Sequence, residues 1–374
     1  MASNNPNTDT PLFPAELTDL VVDASRNDRQ ALAAYALVCK QWTPRSRYHL
    51  FERAAIFADN ARQFISLLSS PHCTFATAIC ELDISLAASG SHRWFTEFSR
   101  RLLPILAKVS NLHGLAISGS RNAVIRQLDE DSGAREALIA FGRQNQTPSQ
   151  ITALKLGPVT FESLVDFVDV LSAFPDLHTL ACAAHFQDAT QPEPHGEIRV
   201  FPQVTTIDLA SPSTNYLLGL LLNQGILPNV TNLSLSRLTG GDLSALTPFL
   251  HNPNNNALQN LVIKFDSIFS GVSFDLFAQR VDMTQLRALR HLVVETAPDM
   301  PSGPAYTLLS TISWTGIERL EISLLLTEEL TCIDNLLTSA RFSTLKEVTI
   351  LSASFVEAGQ FLPLCAARNI LQQV

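Results

Sequence analysis

The stretch VTNLSL, Val230 to Leu235, decides how the chain is read. Its order is apolar, two residues, apolar, one residue, apolar. Side chains alternate across a strand, so Leu233 and Leu235 share one face, and Val230 anchors the chain just before it. The same order recurs as ICELDI (79–84), LHGLAI (112–117), ITALKL (151–156), LHTLAC (177–182), VTTIDL (204–209), LQNLVI (258–263), LRHLVV (289–294), IERLEI (317–322) and LKEVTI (345–350). The middle apolar residues of these ten copies are Leu82, Leu115, Leu154, Leu180, Ile207, Leu233, Leu261, Leu292, Leu320 and Val348, spaced 33, 39, 26, 27, 26, 28, 31, 28 and 28 residues apart. So narrow a spread over the last seven intervals marks an internal repeat. AAIFAD (54–59) reads as an eleventh, degraded copy, with Ile56 lying 26 residues before Leu82.

Segments of helical character separate the strands: 62–70, 93–109, 161–174, 215–224, 242–250 and 328–340. In the third of these, Phe161, Leu164, Val165 and Val168 fall at helical spacing, and Leu171 continues that side. Each strand–helix unit has an apolar face that it cannot bury alone. Stacking the units side by side buries those faces in one continuous core, so an α/β class is expected.

Period and core pattern resemble the leucine-rich repeats, in the longer class of roughly 26–28 residues whose units carry a helix. The resemblance spans about residues 54–352 and implies a solenoid with parallel strands on a concave face and helices on a convex one. It departs at the ninth position, where the family has Asn or Cys and this chain has His185, Pro212, Leu238, Asp266, Ala297, Leu325 and Ala353. Irregular curvature is expected. The two long early intervals hold extended helices or insertions, including 121–145; QDATQPEPHGE (187–197) reads as a polar loop, and HNPNNN (251–256) as a helix C-cap and turn.

In such an array the residues flanking the core pair line the concave surface. The candidate target-binding residues are Glu81, Asp83, Lys155, Asp208, Asn232, Asn260, Lys264, His291, Glu295, Arg319, Glu321 and Glu347. Acids outnumber bases, and none is aromatic, whereas protein hot spots favour Trp, Tyr and Arg. This face reads either as plain solvated surface or as a binding face for a basic or polar protein segment.

Composition narrows the function classes. The 374 residues carry a formal net charge of −9, which argues against nucleic acid or an anionic membrane as partner, since both demand a basic face. No uninterrupted apolar run reaches the length of a membrane span. The polar start MASNNPNTDT lacks the features of a secretory signal, so a cytoplasmic or nuclear location is expected, with reduced thiols. The six cysteines include no CxxC pair, and the sequons at Asn145, Asn229 and Asn232 carry little weight outside the secretory route.

His178, Cys182 and His185 lie close together, near Asp176 and Asp188, and zinc sites use such ligands. Cys182, however, takes the last core position of its repeat, and no second ligand pair follows at metal spacing. His72, Cys73 and Cys80 sit in the turn before a strand. The acidic run 129–131 reads as solvated charge. No phosphate-binding loop, dinucleotide fingerprint, HExxH or GxSxG is present, so neither catalysis nor a metal or other cofactor is expected.

Residues 11–51, PLFPAELTDLVVDASRNDRQALAAYALVCKQWTPRSRYHLF, break the repeat pattern. Three short helices are expected here. The first covers 14–24, with Pro14 in its first turn and Leu17, Leu20 and Val21 as an apolar stripe. The second covers roughly 28–39, with Asp28 as N-cap and Leu32, Tyr35 and Ala36 on one side. The third starts at Thr43–Pro44, a cap followed by proline, which leaves Trp42 at the corner.

Phe13-Pro14-Ala15-Glu16-Leu17 and Leu37-Val38-Cys39-Lys40-Gln41-Trp42 resemble the start and end of the F-box motif, with Phe13 replacing the usual leucine. The resemblance covers about forty residues. It implies an F-box followed by leucine-rich repeats, as in the fungal F-box-like proteins: a non-catalytic substrate-recognition subunit of a ubiquitin ligase. In that reading the F-box docks on a Skp-family adaptor, and through it a cullin, while the repeats hold an unidentified protein substrate. By resemblance, Pro14, Leu17, Leu20, Leu32 and Val38 belong to the docking surface, and Cys39 and Trp42 to internal packing. Lys40, Arg45 and Arg47 read as solvated or rim charges. The alternative is a free-standing repeat scaffold whose degenerate F-box only caps the first repeat. The expected organisation is a tail over 1–10, a helical module over 11–52, repeats over 53–352 and a C-terminal capping helix over 353–374.

Overall fold

Each copy of the repeated pattern that the structure describes supplies one strand. A computed structural model describes residues 14–86, 93–119, 136, 138–140, 142–143, 151–188, 201, 203–210, 214–219, 229–252, 257–265, 279–280, 282–296, 304–312, 316–323, 327–351 and 359–372. The expected tail over 1–10, Phe13, the acidic run 129–131 and most of 121–145 and 189–200 lie outside these residues.

Three helices come first: α1 (Ala15–Ala24), α2 (Arg29–Val38) and α3 (Thr43–Phe51). Strand β1 (Arg53–Ile56) and helix α4 (Ala58–Ser69) follow, then β2 (Glu81–Ser85), α5 (Arg93–Leu102), β3 (Gly114–Ser118) and β4 (Ala153–Leu156). Next come β5 (Thr160–Ser163), β6 (Thr179–Cys182), β7 (His185–Asp188), β8 (Thr206–Ala210), β9 (Asn232–Leu238) and β10 (Asn260–Phe265). The last strands are β11 (His291–Glu295), β12 (Arg319–Ile322), β13 (Glu347–Ile350) and β14 (Leu371–Gln372).

Twelve of these strands form one parallel sheet in chain order, omitting only β5 and β7. Pairing is in register, with Leu82 beside Leu115, Leu115 beside Leu154 and Leu154 beside Leu180. Each strand thus repeats its neighbour's inward pair, and the sheet has a buried and an open face. Leu82, Ile84, Leu154, Leu156, Leu233, Leu235, Leu261, Ile263, Leu320 and Ile322 are buried in a single core with helix residues such as Leu68, Phe167, Phe249, Ile333 and Leu337.

The backbone repeats as strictly as the side chains. From β1 to β12 of the large sheet, one carbonyl just before each strand accepts two successive N–H groups from the next unit. Glu52 receives Cys80 and Glu81, Cys80 receives His113 and Gly114, Thr205 receives Thr231 and Asn232, and Gln259 receives Arg290 and His291. These bonds satisfy turn groups that would otherwise be orphaned in the stack.

Several expectations need correction. The first copy is real but shifted: Ala54 pairs with Leu82, while Ile56 pairs with Ile84. Phe161 lies on β5, which pairs with β7, and the following helix covers Leu164–Ser172. That helix buries Leu164, Phe167, Val170 and Leu171, whereas Val165 is exposed. Ser163 and Asp166 form a capping box that fixes its start. The α-helix within 93–109 gives way to a 3-10 turn over Leu103–Lys108, where Pro104 lacks the N–H that an α-helix needs. Segment 353–374 holds a helix, Pro363–Ala367, and then β14, which adds a strand beside β13. Asn369, with φ 56°, makes the turn between them. Among the described residues, no helix is long and apolar enough to cross a membrane.

Candidate functional site

The three leading helices present apolar side chains outward. In α1, Thr18 and Val22 turn inward, and Leu17, Leu20 and Val21 face solvent. The stripe read from the sequence is therefore the helix's outer side. At the end of α2, Leu37 is 87% exposed and Val38 61%. Pro14, at the N-cap of α1, is exposed as well. Large apolar groups left in water in this number on so short a module are the mark of a surface awaiting cover.

Two expected roles do not hold. Leu32, expected in the docking set, is fully buried and belongs to the inside of the module. Cys39, expected to pack internally, is exposed: it is the extended residue that ends α2, so its side chain leaves the helix. Trp42 does pack, edge-on to Tyr35 with ring centroids 5.0 Å apart.

The module is held by polar contacts as much as by its small core. Asp28 caps α2, accepting from the N–H groups of Gln30 and Ala31. The Thr43 hydroxyl, expected to cap α3, instead donates to the carbonyls of Ala36 and Cys39 and closes the end of α2. Arg45 is no rim charge. Its Nε and Nη2 grip Asp23 at 2.6 and 2.8 Å, and His49 Nε2 meets the same carboxylate at 2.7 Å. These hydrogen bonds, that from Arg45 foremost, hold the Asp23 carboxyl well below the usual carboxylate range.

Helix α3 is fastened to the segment that leads into β2. Phe51 stacks on Phe75 at 4.4 Å, and Arg47 reaches the Thr74 hydroxyl. Only Glu52 separates α3 from β1, and its carbonyl receives the first pair of sheet N–H groups.

The second surface is the open face of the sheet, where all twelve candidate residues sit on the strands. In its later half these side chains join across neighbouring strands. Asn260 donates to Asn232, and Asn232 to the Thr206 hydroxyl. Lys264 meets Glu295 at 2.7 Å, His291 meets Glu321 at 3.0 Å, and Arg319 meets Glu347 at 2.7 Å. The Arg53–Glu81 pair closes the other end. Between the ends, over β1 to β6, lies a groove of about 560 Å³ with a floor of small residues, among them Ala55, Gly114, Ala116, Ala153 and Ala181. Sequence reasoning missed this groove. Its signal is the run of Ala and Gly at open-face positions.

The His–Cys cluster does not assemble. Cys182 is buried in the core, and that burial pushes its thiol up to about 12. His178 is exposed and its Nδ1 lies 2.7 Å from the Asp176 carbonyl, while His185 sits on β7. Among the described residues, no group of three or more His, Cys, Asp or Glu side chains is placed to hold a metal ion. No protein-family model matches this chain, and no curated protein matches it.

Proposed function

We propose that this chain is a substrate-recognition subunit of a Skp–cullin–F-box type ubiquitin ligase. In this reading the three leading helices are an F-box, and the parallel sheet with its helices is a leucine-rich-repeat solenoid. The observation that supports it is the exposed apolar set Leu17, Leu20, Val21, Leu37 and Val38, of which Leu17, Leu20 and Val38 are residues that the F-box resemblance assigns to docking. A module that only capped the first repeat would turn its apolar side chains toward the repeat. Here α3 meets the segment that leads into β2, through Phe51 on Phe75 and Arg47 on Thr74, while the apolar side chains of α1 and of the end of α2 stay exposed.

The mechanism assigned to this chain is proximity. The leading helices hold the adaptor, the sheet holds a target, and bound geometry brings that target to chemistry done by other subunits. No side chain of this chain takes part in a covalent step. The tight link from α3 through Glu52 into β1 suits this role, because a fixed angle between the two surfaces fixes where the target stands.

Co-purification of the full chain with a Skp-family adaptor tests the proposal. The wild-type chain is expected to capture the adaptor. The double substitution Leu17→Ala with Leu20→Ala is expected to abolish capture and leave the melting temperature unchanged, since both side chains are exposed. A wild-type chain that binds no adaptor paralogue of its own organism sinks the reading in favour of the free-standing scaffold.

A further inference from the structure

The open face carries paired charges at both ends, with Arg53–Glu81 on one side and Lys264–Glu295, His291–Glu321 and Arg319–Glu347 on the other, and a row of three other charges between. From Asn232 onward the polar side chains pair with their strand neighbours, as described above. In β2, β4 and β8 the single exposed position of each strand is charged: Asp83, Lys155 and Asp208. None of the three is in an ion pair with another described residue. Register places them on one row, and the strands between them contribute Ala116 and Ala181 to that row. The order across the sheet is therefore acid, alanine, base, alanine, acid.

Small residues keep the row open. Asp83, Ala116, Lys155 and Ala181 line the groove, Ala55 continues their row beyond Asp83, Arg29 and Arg53 line the groove as well, and Asp208 stands one strand past it on the other side. Gly114 stays small for a packing reason, because a Cβ there would come within 2.8 Å of Glu81 Cγ. Bulk at the alanines would cover the charges. Their absence of bulk leaves two shallow wells between three charged posts.

The spacing selects a ligand conformation. Neighbouring strands lie about 4.8 Å apart, so posts on alternate strands stand about 9.6 Å apart. A polyproline-II segment returns a side chain to the same side every three residues, about 9.3 Å along its axis. A β-strand returns at about 6.8 or 13.6 Å, and an α-helix after seven residues at about 10.5 Å. The polyproline-II repeat fits the posts best, and it reaches them with the shortest segment.

We propose that the row Asp83–Ala116–Lys155–Ala181–Asp208 docks a polyproline-II segment of a target protein carrying the charge order basic-x-x-acidic-x-x-basic. The intervening ligand side chains lie over Ala116 and Ala181. The charge order is the same from either end, so the row accepts both chain directions. This inference rests on the reading of the open face as the target surface. It does not depend on what the leading helices bind.

Fluorescence anisotropy with the full chain and labelled synthetic peptides tests it. Arg-Pro-Pro-Glu-Pro-Pro-Arg is expected to bind about tenfold more tightly than Glu-Pro-Pro-Arg-Pro-Pro-Glu, as three partly exposed ion pairs made or opposed together imply. Added salt is expected to shrink the difference. The triple variant Asp83→Lys, Lys155→Glu, Asp208→Lys is expected to reverse the preference and to retain any adaptor capture shown by the wild type. All three positions are exposed; if the triple variant nevertheless fails to fold, Lys155→Glu alone must lower the preference from about tenfold to about twofold, since one of the three pairs changes sign. Equal binding of the two peptides overturns the proposal. So does an unchanged preference in the variant, or equal binding of a helical peptide with the same charges at seven-residue spacing. Loss of adaptor capture in the wild type would sink the ligase reading and leave the peptide result standing.

Discussion

Asp23 carries more of the leading module than its half-exposed position suggests. It sits near the end of α1 and receives both Arg45 and His49 from α3, so one carboxylate ties the first helix to the third. Its carboxyl is held below the usual range, so the native state keeps it ionised where an unfolded chain would begin to protonate it. The stabilisation is complete above the ordinary Asp pKa of about 3.9 and is lost as pH falls through that value toward the depressed native one. Melting curves of wild type and Asp23→Asn are expected to differ most near neutral pH, and the gap is expected to narrow steadily below about pH 4. A constant gap across that range would deny the tie its charge. In the sequence Arg45 stands only as one base among several. What singles it out is that two helices meet there, and spacing along the chain does not carry that contact. Leu32 and Cys39 exchanged roles for a related reason. The pattern gives the period of α2, but the direction of its inner side is set by α1 and α3.

At the scale of the element, what closes the far end of the sheet is a carboxylate rather than an asparagine row. Asp334 is buried on the helix Thr327–Leu337, and its two oxygens accept the N–H groups of Leu364 and Cys365 at 2.8 and 2.9 Å. It thereby caps the helix Pro363–Ala367, which leads through Asn369 into β14. Asp334→Ala leaves two backbone donors without partners in a buried setting. It is expected to cost about 1–3 kcal/mol in urea unfolding of the full chain, and Asp334→Asn, which retains one acceptor oxygen, less. A wild-type denaturation midpoint in the alanine variant would show that water replaces the cap. The helices were legible where apolar period and cap agree, as at Asp28. They were misread where the period is ambiguous. Thr160 and Phe161 are strand formers, Phe161 also fits the helical count, and only the pairing with β7 decides. β14 is two residues long, too short to raise any periodic signal.

For the whole molecule, the recurring apolar triplet was enough to place most of the strands in order, because each copy solves the same burial problem with the same three positions. Its one phase error, at Ile56, arose where two alanines replace the large residues that set the register. Such an array is joined mainly through nearest neighbours, so damage in its middle separates two halves. Leu261, on β10, is fully buried between Leu233 and Leu292. Leu261→Ala is expected to cost about 2–5 kcal/mol and to split the thermal transition into two steps by calorimetry. A single, merely shifted transition would mean that the core melts as one body despite its linear layout. The two-residue length of β14 has a bearing on self-association. A stack of like units carries no built-in limit, since every strand offers the next copy the same row of donors and acceptors. The last strand among the described residues, Leu371–Gln372, is two residues long, so the stretch of edge it presents holds few donors and acceptors for a second molecule to pair with.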